Sequence, residues 1–143
     1  MRVFLGGTCN NSQWRNWITP LLRVDYFNPV VDDWTPECQA REIKEREICD
    51  ICLYTITPKM TGVYSVAEVV DDSNKCPEKT VLVLLFQDGP LSFQTGEWKS
   101  LQAVAKMVER NGSRVFYSLG DAAVYINNFK EEEMGCKGKG GKG

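Results

Sequence analysis

Residues 49–68, CDICLYTITPKMTGVYSVAE, decide how the rest of the chain is read. Asp50 to Thr57 has the continuous apolar character of a strand covered on both faces of a parallel sheet. A loop with Pro58, Met60 and Gly62 follows, and then a helix that carries one acid, Glu68, in its first turns. An open α/β sheet places its ligands at the carboxyl ends of its strands, in loops of this kind. A carboxylate there faces the cleft and the dipole of its own helix, a position from which a lone acid can attack a carbon.

Working upstream, Arg2 to Gly7, RVFLGG, is a short apolar run closed by two glycines, a first and central strand with its turn. The turn Gly6-Gly7-Thr8 leaves backbone N–H groups to meet an anion or a sugar hydroxyl. Trp14, Trp17, Ile18, Leu21 and Leu22 then recur at helical spacing from Gln13 to Leu22. Asp25 to Val31 reads as a second strand, stopped by Pro29 and by Asp32 and Asp33, with Trp34 in the loop after it. Thr35-Pro36-Glu37 starts a helix with a capping hydroxyl, a proline at the first position and an early acid. That helix is crowded with charge, and such a run reads as a solvated face laced with ion pairs. If one of its acids points into the cleft, Glu42 or Glu45 is the candidate. Cys49 and Cys52 form a CxxC at a strand start with no second pair at zinc spacing, which favours core packing.

Downstream, Asp71 to Asn74 make a polar helix end, and Thr80 to Phe86, TVLVLLF, is the clearest buried strand, ended by Gln87-Asp88-Gly89-Pro90. Gly96 to Asn111 is an amphipathic helix with Trp98, Leu101, Val104, Ala105 and Val108 on one face. Ser113 to Ser118 is a fifth strand and Asp121 to Phe129 a last helix. Residues 1–130 therefore read as one domain, and the Gly/Lys-rich residues 131–143 as a disordered tail. The alternation of strand and helix predicts an α/β fold: a flavodoxin-like, doubly wound sheet of five parallel strands in three α/β/α layers. There is no GxGxxG and no P-loop to support a dinucleotide or Walker nucleotide site.

Composition excludes several classes. The 143 residues are 43% hydrophobic and 25% charged with a net charge of −2, and no basic patch stands out in the body of the chain. No nucleic-acid partner is expected from that balance. No apolar run approaches membrane-spanning length and MRVFLGG lacks a signal-peptide core, so the expectation is a cytoplasmic protein with no membrane contact. Histidine is absent, which removes Ser-His-Asp and Cys-His catalysis and argues against a zinc enzyme; neither a metal nor a cofactor is expected. The six cysteines, at 9, 38, 49, 52, 76 and 136, read as reduced thiols.

Taken together, FLGGTCNNSQW, YFNPVVDDW, REICDICLYTITP and MTGVYSVAEVVDDS resemble the nucleoside 2-deoxyribosyltransferase-like family, over roughly residues 2 to 110. The resemblance implies a flavodoxin-like sheet and cleavage or transfer at the N-glycosidic bond of a 2'-deoxynucleoside or its monophosphate. It puts Glu68 at the position of the family's nucleophilic glutamate. It offers Glu42 or Glu45 as stand-ins for a family aspartate on the helix before the third strand, with Asp33 as a further candidate, and leaves Asp50 structural. Tyr64 and Ser65 are placed to hold the sugar or a 5'-phosphate, Gly6, Gly7 and Thr8 to meet the sugar from the opposite wall, and Trp34 to stack on a base. Where characterised transferases carry an aspartate before the nucleophile helix, this chain has Thr61-Gly62, which makes hydrolysis or an altered base preference plausible. A homo-oligomer is implied too, since relatives complete their cleft with a neighbour's residues. The alternative function is a non-catalytic module that binds a nucleotide in the same cleft.

Overall fold

A computed structural model describes residues 1–9 and 11–129. In chain order the elements are β1 (Arg2–Gly7), α1 (Trp14–Ile18), β2 (Asp25–Phe27), α2 (Pro36–Ile48), β3 (Ile51–Ile56), α3 (Tyr64–Lys75), β4 (Thr80–Leu84), β5 (Gln87–Asp88), β6 (Leu91–Ser92), α4 (Thr95–Arg110), β7 (Arg114–Phe116) and α5 (Leu119–Asn127). Single 3₁₀ turns follow α1 (Thr19–Leu21) and α3 (Pro77–Lys79). Five strands form one parallel sheet in the order β2-β1-β3-β4-β7, the flavodoxin-like order, and β5 and β6 make a separate antiparallel hairpin.

The two-residue period of the strands divides the core. Val3, Leu5, Ile51, Leu53, Val81 and Val83 point to one face and pack with Trp14 and Ile18 of α1 and Leu119, Ala122, Ala123 and Ile126 of α5. Phe4, Cys52, Tyr54, Leu82 and Leu84 point to the other and pack with Val69 of α3 and Leu101, Ala105 and Val108 of α4. Helices thus cover both faces, which is why β3 and β4 read as unbroken apolar runs rather than alternating ones.

Several boundaries differ from the sequence expectation. The second strand stops at Phe27 instead of Val31, because Pro29 has no N–H for a ladder and the chain is already leaving the sheet at an edge strand. The fourth ends at Leu84, and the residues after it turn out to the small hairpin β5–β6, an element the sequence did not announce. The helix expected from Gln13 to Leu22 is α1 plus a 3₁₀ turn led by Pro20. Of the cysteines, 9, 38, 49 and 52 are free thiols, as expected, whereas Cys76 is disulfide-bonded. Cys136 and the tail 131–143 lie outside the described residues.

Two buried cations hold strand and helix ends. Arg15 donates from Nε and Nη2 to the Leu5 carbonyl (3.0 and 2.9 Å) and from Nη1 to the Thr8 carbonyl (2.8 Å), closing the carboxyl end of β1. Lys79 donates to the carbonyls of Arg46, Glu47 and Cys49 at 3.2, 2.8 and 2.9 Å, and so satisfies the last turn of α2.

Candidate functional site

The loop after β3 passes Gly62 and enters α3 at Tyr64, so Tyr64 and Glu68, four residues apart, share a helix face. Across from them lies α2, whose N-terminus is fixed by Thr35: its side-chain oxygen accepts from the Cys38 N–H at 3.1 Å, with Pro36 at the first helical position. Gln39, Glu42, Ile43 and Arg46 recur at helical spacing on the facing side. With Trp34, Tyr64 and Glu68 they line a small cleft near the carboxyl edge of the sheet.

Glu68 is the acid this cleft encloses. It is 7% exposed, and burial pushes its carboxyl up to about 7 from an ordinary 4.5. Arg46 opposes that rise, while the acids Glu42 and Asp72 add to it. Arg46 Nη1 stands 3.8 Å from Glu68 Oε2, too far for a hydrogen bond. The fork of Arg46 is instead closed on Asp72, through Nε (3.2 and 3.1 Å) and Nη2 (2.8 Å), and Nη2 also donates to Asp71 at 3.1 Å. Burial likewise raises Glu42, partly offset by Arg46 and Arg15. Two carboxyls that hold protons more tightly than usual therefore line one cleft, an arrangement suited to acid and base work near neutral pH.

The other residues singled out from the sequence fall in three places. Trp34, Glu42 and Tyr64 join Glu68 in the cleft, with Trp34 and Tyr64 largely exposed at its mouth. Glu45, one helix step from Glu42, is buried on another face of α2. Arg2 Nη2 lies 3.3 Å from its Oε2, and the Cys49 thiol donates to its Oε1. Asp33 is exposed before α2, and its carbonyl accepts from the Cys38 thiol. Gly62 is exposed with open space around its Cα, and Ser65 is half-buried in the first turn of α3.

Gly6, Gly7 and Thr8 have a clear packing role. A Cβ on Gly6 would stand 2.7 Å from the Tyr54 ring, and one on Gly7 2.2 Å from the Thr55 carbonyl oxygen, where φ is also +118°. The Thr8 N–H donates to the Thr55 carbonyl at 2.9 Å, and Thr8 Oγ1 accepts from the Thr57 N–H at 3.0 Å. Asp50 also acts structurally, its carboxylate accepting from the Arg2 N–H at 2.8 Å.

Sequence reasoning passed over Arg46, Gln39 and Ile43. The spacing 39, 42/43, 46 was a usable signal, but nothing local says which face of a charged helix turns inward. Among the described residues no group of three His, Cys, Asp or Glu side chains is placed to hold a metal ion, and no helix is long and apolar enough to cross a membrane.

The strand order and the acid-lined cleft define the class: a doubly wound α/β protein with carboxyls set beside the carboxyl edge of its sheet. The chain matches the family described as nucleoside 2-deoxyribosyltransferase like over residues 1–88, and it belongs to that family. The matched span runs from β1 through β5 and contains every residue of the cleft. No curated protein and no solved structure gives a significant match.

Proposed function

We propose that this protein breaks the N-glycosidic bond of a 2'-deoxynucleoside or its monophosphate and passes the sugar to water or to another base. The observation that carries the reading is the burial of Glu68 in a cleft rimmed by Trp34 and Tyr64, on the part of the chain that gives it its family. In the first step a Glu68 oxygen forms an ester bond to the anomeric carbon as the bond from that carbon to the base nitrogen breaks. The electron pair leaves with the base, which takes a proton from Glu42, the second cleft acid; Glu45 is engaged by Arg2 elsewhere. Water or a second base then attacks the same carbon and gives its proton to the Glu42 carboxylate, while the bond from that carbon to the Glu68 oxygen breaks and frees Glu68. A deoxyribose suits this route because it lacks the electron-withdrawing hydroxyl next to the reacting carbon. Tyr64 and Trp34 would hold the sugar and stack on the base.

The enclosed space is about 80 Å³, well below the few hundred that usually surround a ligand of this size. A second copy would supply the missing wall, with the exposed Ile43, Val63 and Tyr64 nearest to it.

The test is incubation with a panel of deoxynucleosides and their monophosphates, followed by chromatography of free bases and intact-mass measurement of the protein. The expected result is base release and a trapped sugar on the wild type, both lost in Glu68→Ala. Equal release from the two proteins would reject Glu68 as nucleophile. A non-catalytic nucleotide-binding module is favoured by one observation, the absence of an acid at Thr61-Gly62. Saturable binding without turnover, retained in Glu68→Gln, would select it.

A further inference from the structure

Three side chains, Tyr54, Asp72 and Arg46, lead in turn from the sheet to Glu68. Tyr54, buried on β3, donates its hydroxyl to Asp72 Oδ2 at 2.5 Å, and Asp72 in turn receives the fork of Arg46. Arg46 is thereby held against α3 by two consecutive acids, Asp71 and Asp72, the second of them tied to β3 through Tyr54. Only Nη1 is left facing Glu68, at 3.8 Å. Two carboxylates already share the guanidinium charge, so Glu68 has a cation beside it without being locked to it. A short pair would tie up the lone pairs of the acid; no cation at all would leave it protonated in a dry cleft.

We propose that Arg46 is the positioning residue for Glu68, and that Asp72 and Tyr54 act on this acid through it by deciding how much of the guanidinium it meets. The proposal rests on the cleft reading above in taking Glu68 as the acid that matters, yet it concerns a property of the protein measurable without any substrate. The charged and titratable groups around Glu68 are Arg46 and Glu42 from α2, Asp72 from α3 and, behind Asp72, Tyr54 from β3. Burial raises Glu68, Arg46 lowers it, and Glu42 and Asp72 raise it. Neutralising Asp72 therefore frees the fork to close on Glu68, and removing Arg46 leaves burial unopposed.

The experiment follows the Glu68 side-chain carboxyl by carbon-13 NMR in glutamate-labelled protein, with the signal assigned by its loss in Glu68→Gln. Asp72→Asn should lower the midpoint by about half a unit or more, Arg46→Gln should raise it by about one unit, and Arg46→Lys should fall between wild type and Arg46→Gln. The Asp72→Asn shift should shrink in an Arg46→Gln background. The acid limb of base release should move with the midpoint in each variant. Unmoved midpoints in folded Asp72→Asn and Arg46→Gln would overturn the proposal. So would an Asp72→Asn shift of equal size with and without Arg46, since Asp72 would then act on Glu68 directly. Should Arg46→Gln not fold, Asp72→Asn and Arg46→Lys decide the matter. Midpoints that move as expected in a protein that releases no base would sink the proposed function and leave the positioning role standing.

Discussion

Glu68 brings two opposing demands to one residue. Attack on carbon requires the anion, while burial favours the neutral acid and holds the carboxyl near 7. Base release should therefore fall as pH drops through about 7, since the attacking anion is lost there. Stability should move the other way. The folded protein keeps a proton on Glu68 between 4.5 and about 7 that the unfolded chain gives up, so the fold loses stability as pH rises across that window. Replacing the acid by glutamine removes this loss. Glu68→Gln is expected to gain up to roughly 2–3 kcal/mol over wild type at pH 8 and nothing near pH 4.5, read from denaturant unfolding at the two pH values. A gain of the same size at both would mean that the carboxyl titrates as it does in water.

At the scale of elements, α2 shows how a charged helix serves a site. Its N-terminus is set by Thr35 and Pro36, both visible in the sequence. Its C-terminus is set by Lys79, thirty residues and more away, whose ammonium satisfies three carbonyls while only 8% exposed. Lys79→Met keeps the length of the side chain but leaves those carbonyls dry and unpaired. It should cost about 1–3 kcal/mol in chemical denaturation. It should also loosen the half of α2 that carries Arg46, seen as faster amide exchange there. A neutral effect would show that water replaces the ammonium at no cost. The charges of α2 read as a solvated face, and for Lys44 and Glu47 that is where they lie. Glu42, Glu45 and Arg46 share the same composition but not the same fate, because α3 and β1 happen to stand against them.

For the whole molecule, the exposed apolar side chains beside the cleft bear on assembly. Trp34 is 56% exposed, Ile43 52%, Val63 71% and Tyr64 71%, a larger group than an isolated surface residue would make. If a second copy covers them, sedimentation equilibrium should report a dimer or larger species, and Tyr64→Lys should shift it towards monomer with base release falling in parallel. A monomer at all concentrations would mean that the single-chain cleft is all the site there is.

The apolar runs at β1, β3 and β4, the glycine turn after β1 and the Thr35-Pro36 helix start were legible because each is a local preference: a two-residue or 3.6-residue period, a cap, a fixed φ. They were enough to predict five parallel strands, the layered α/β/α arrangement and Glu68 on the helix after β3. The edges of elements were less legible, as with β2 and the β5–β6 hairpin, where the end of pairing depends on what lies alongside. What the tertiary structure alone decided was the company Glu68 keeps. Arg46, Asp72 and Tyr54 come from two helices and a strand, and which of them meets the acid, at what distance and how dry, follows from how those elements pack against one another and from no pattern within any one of them.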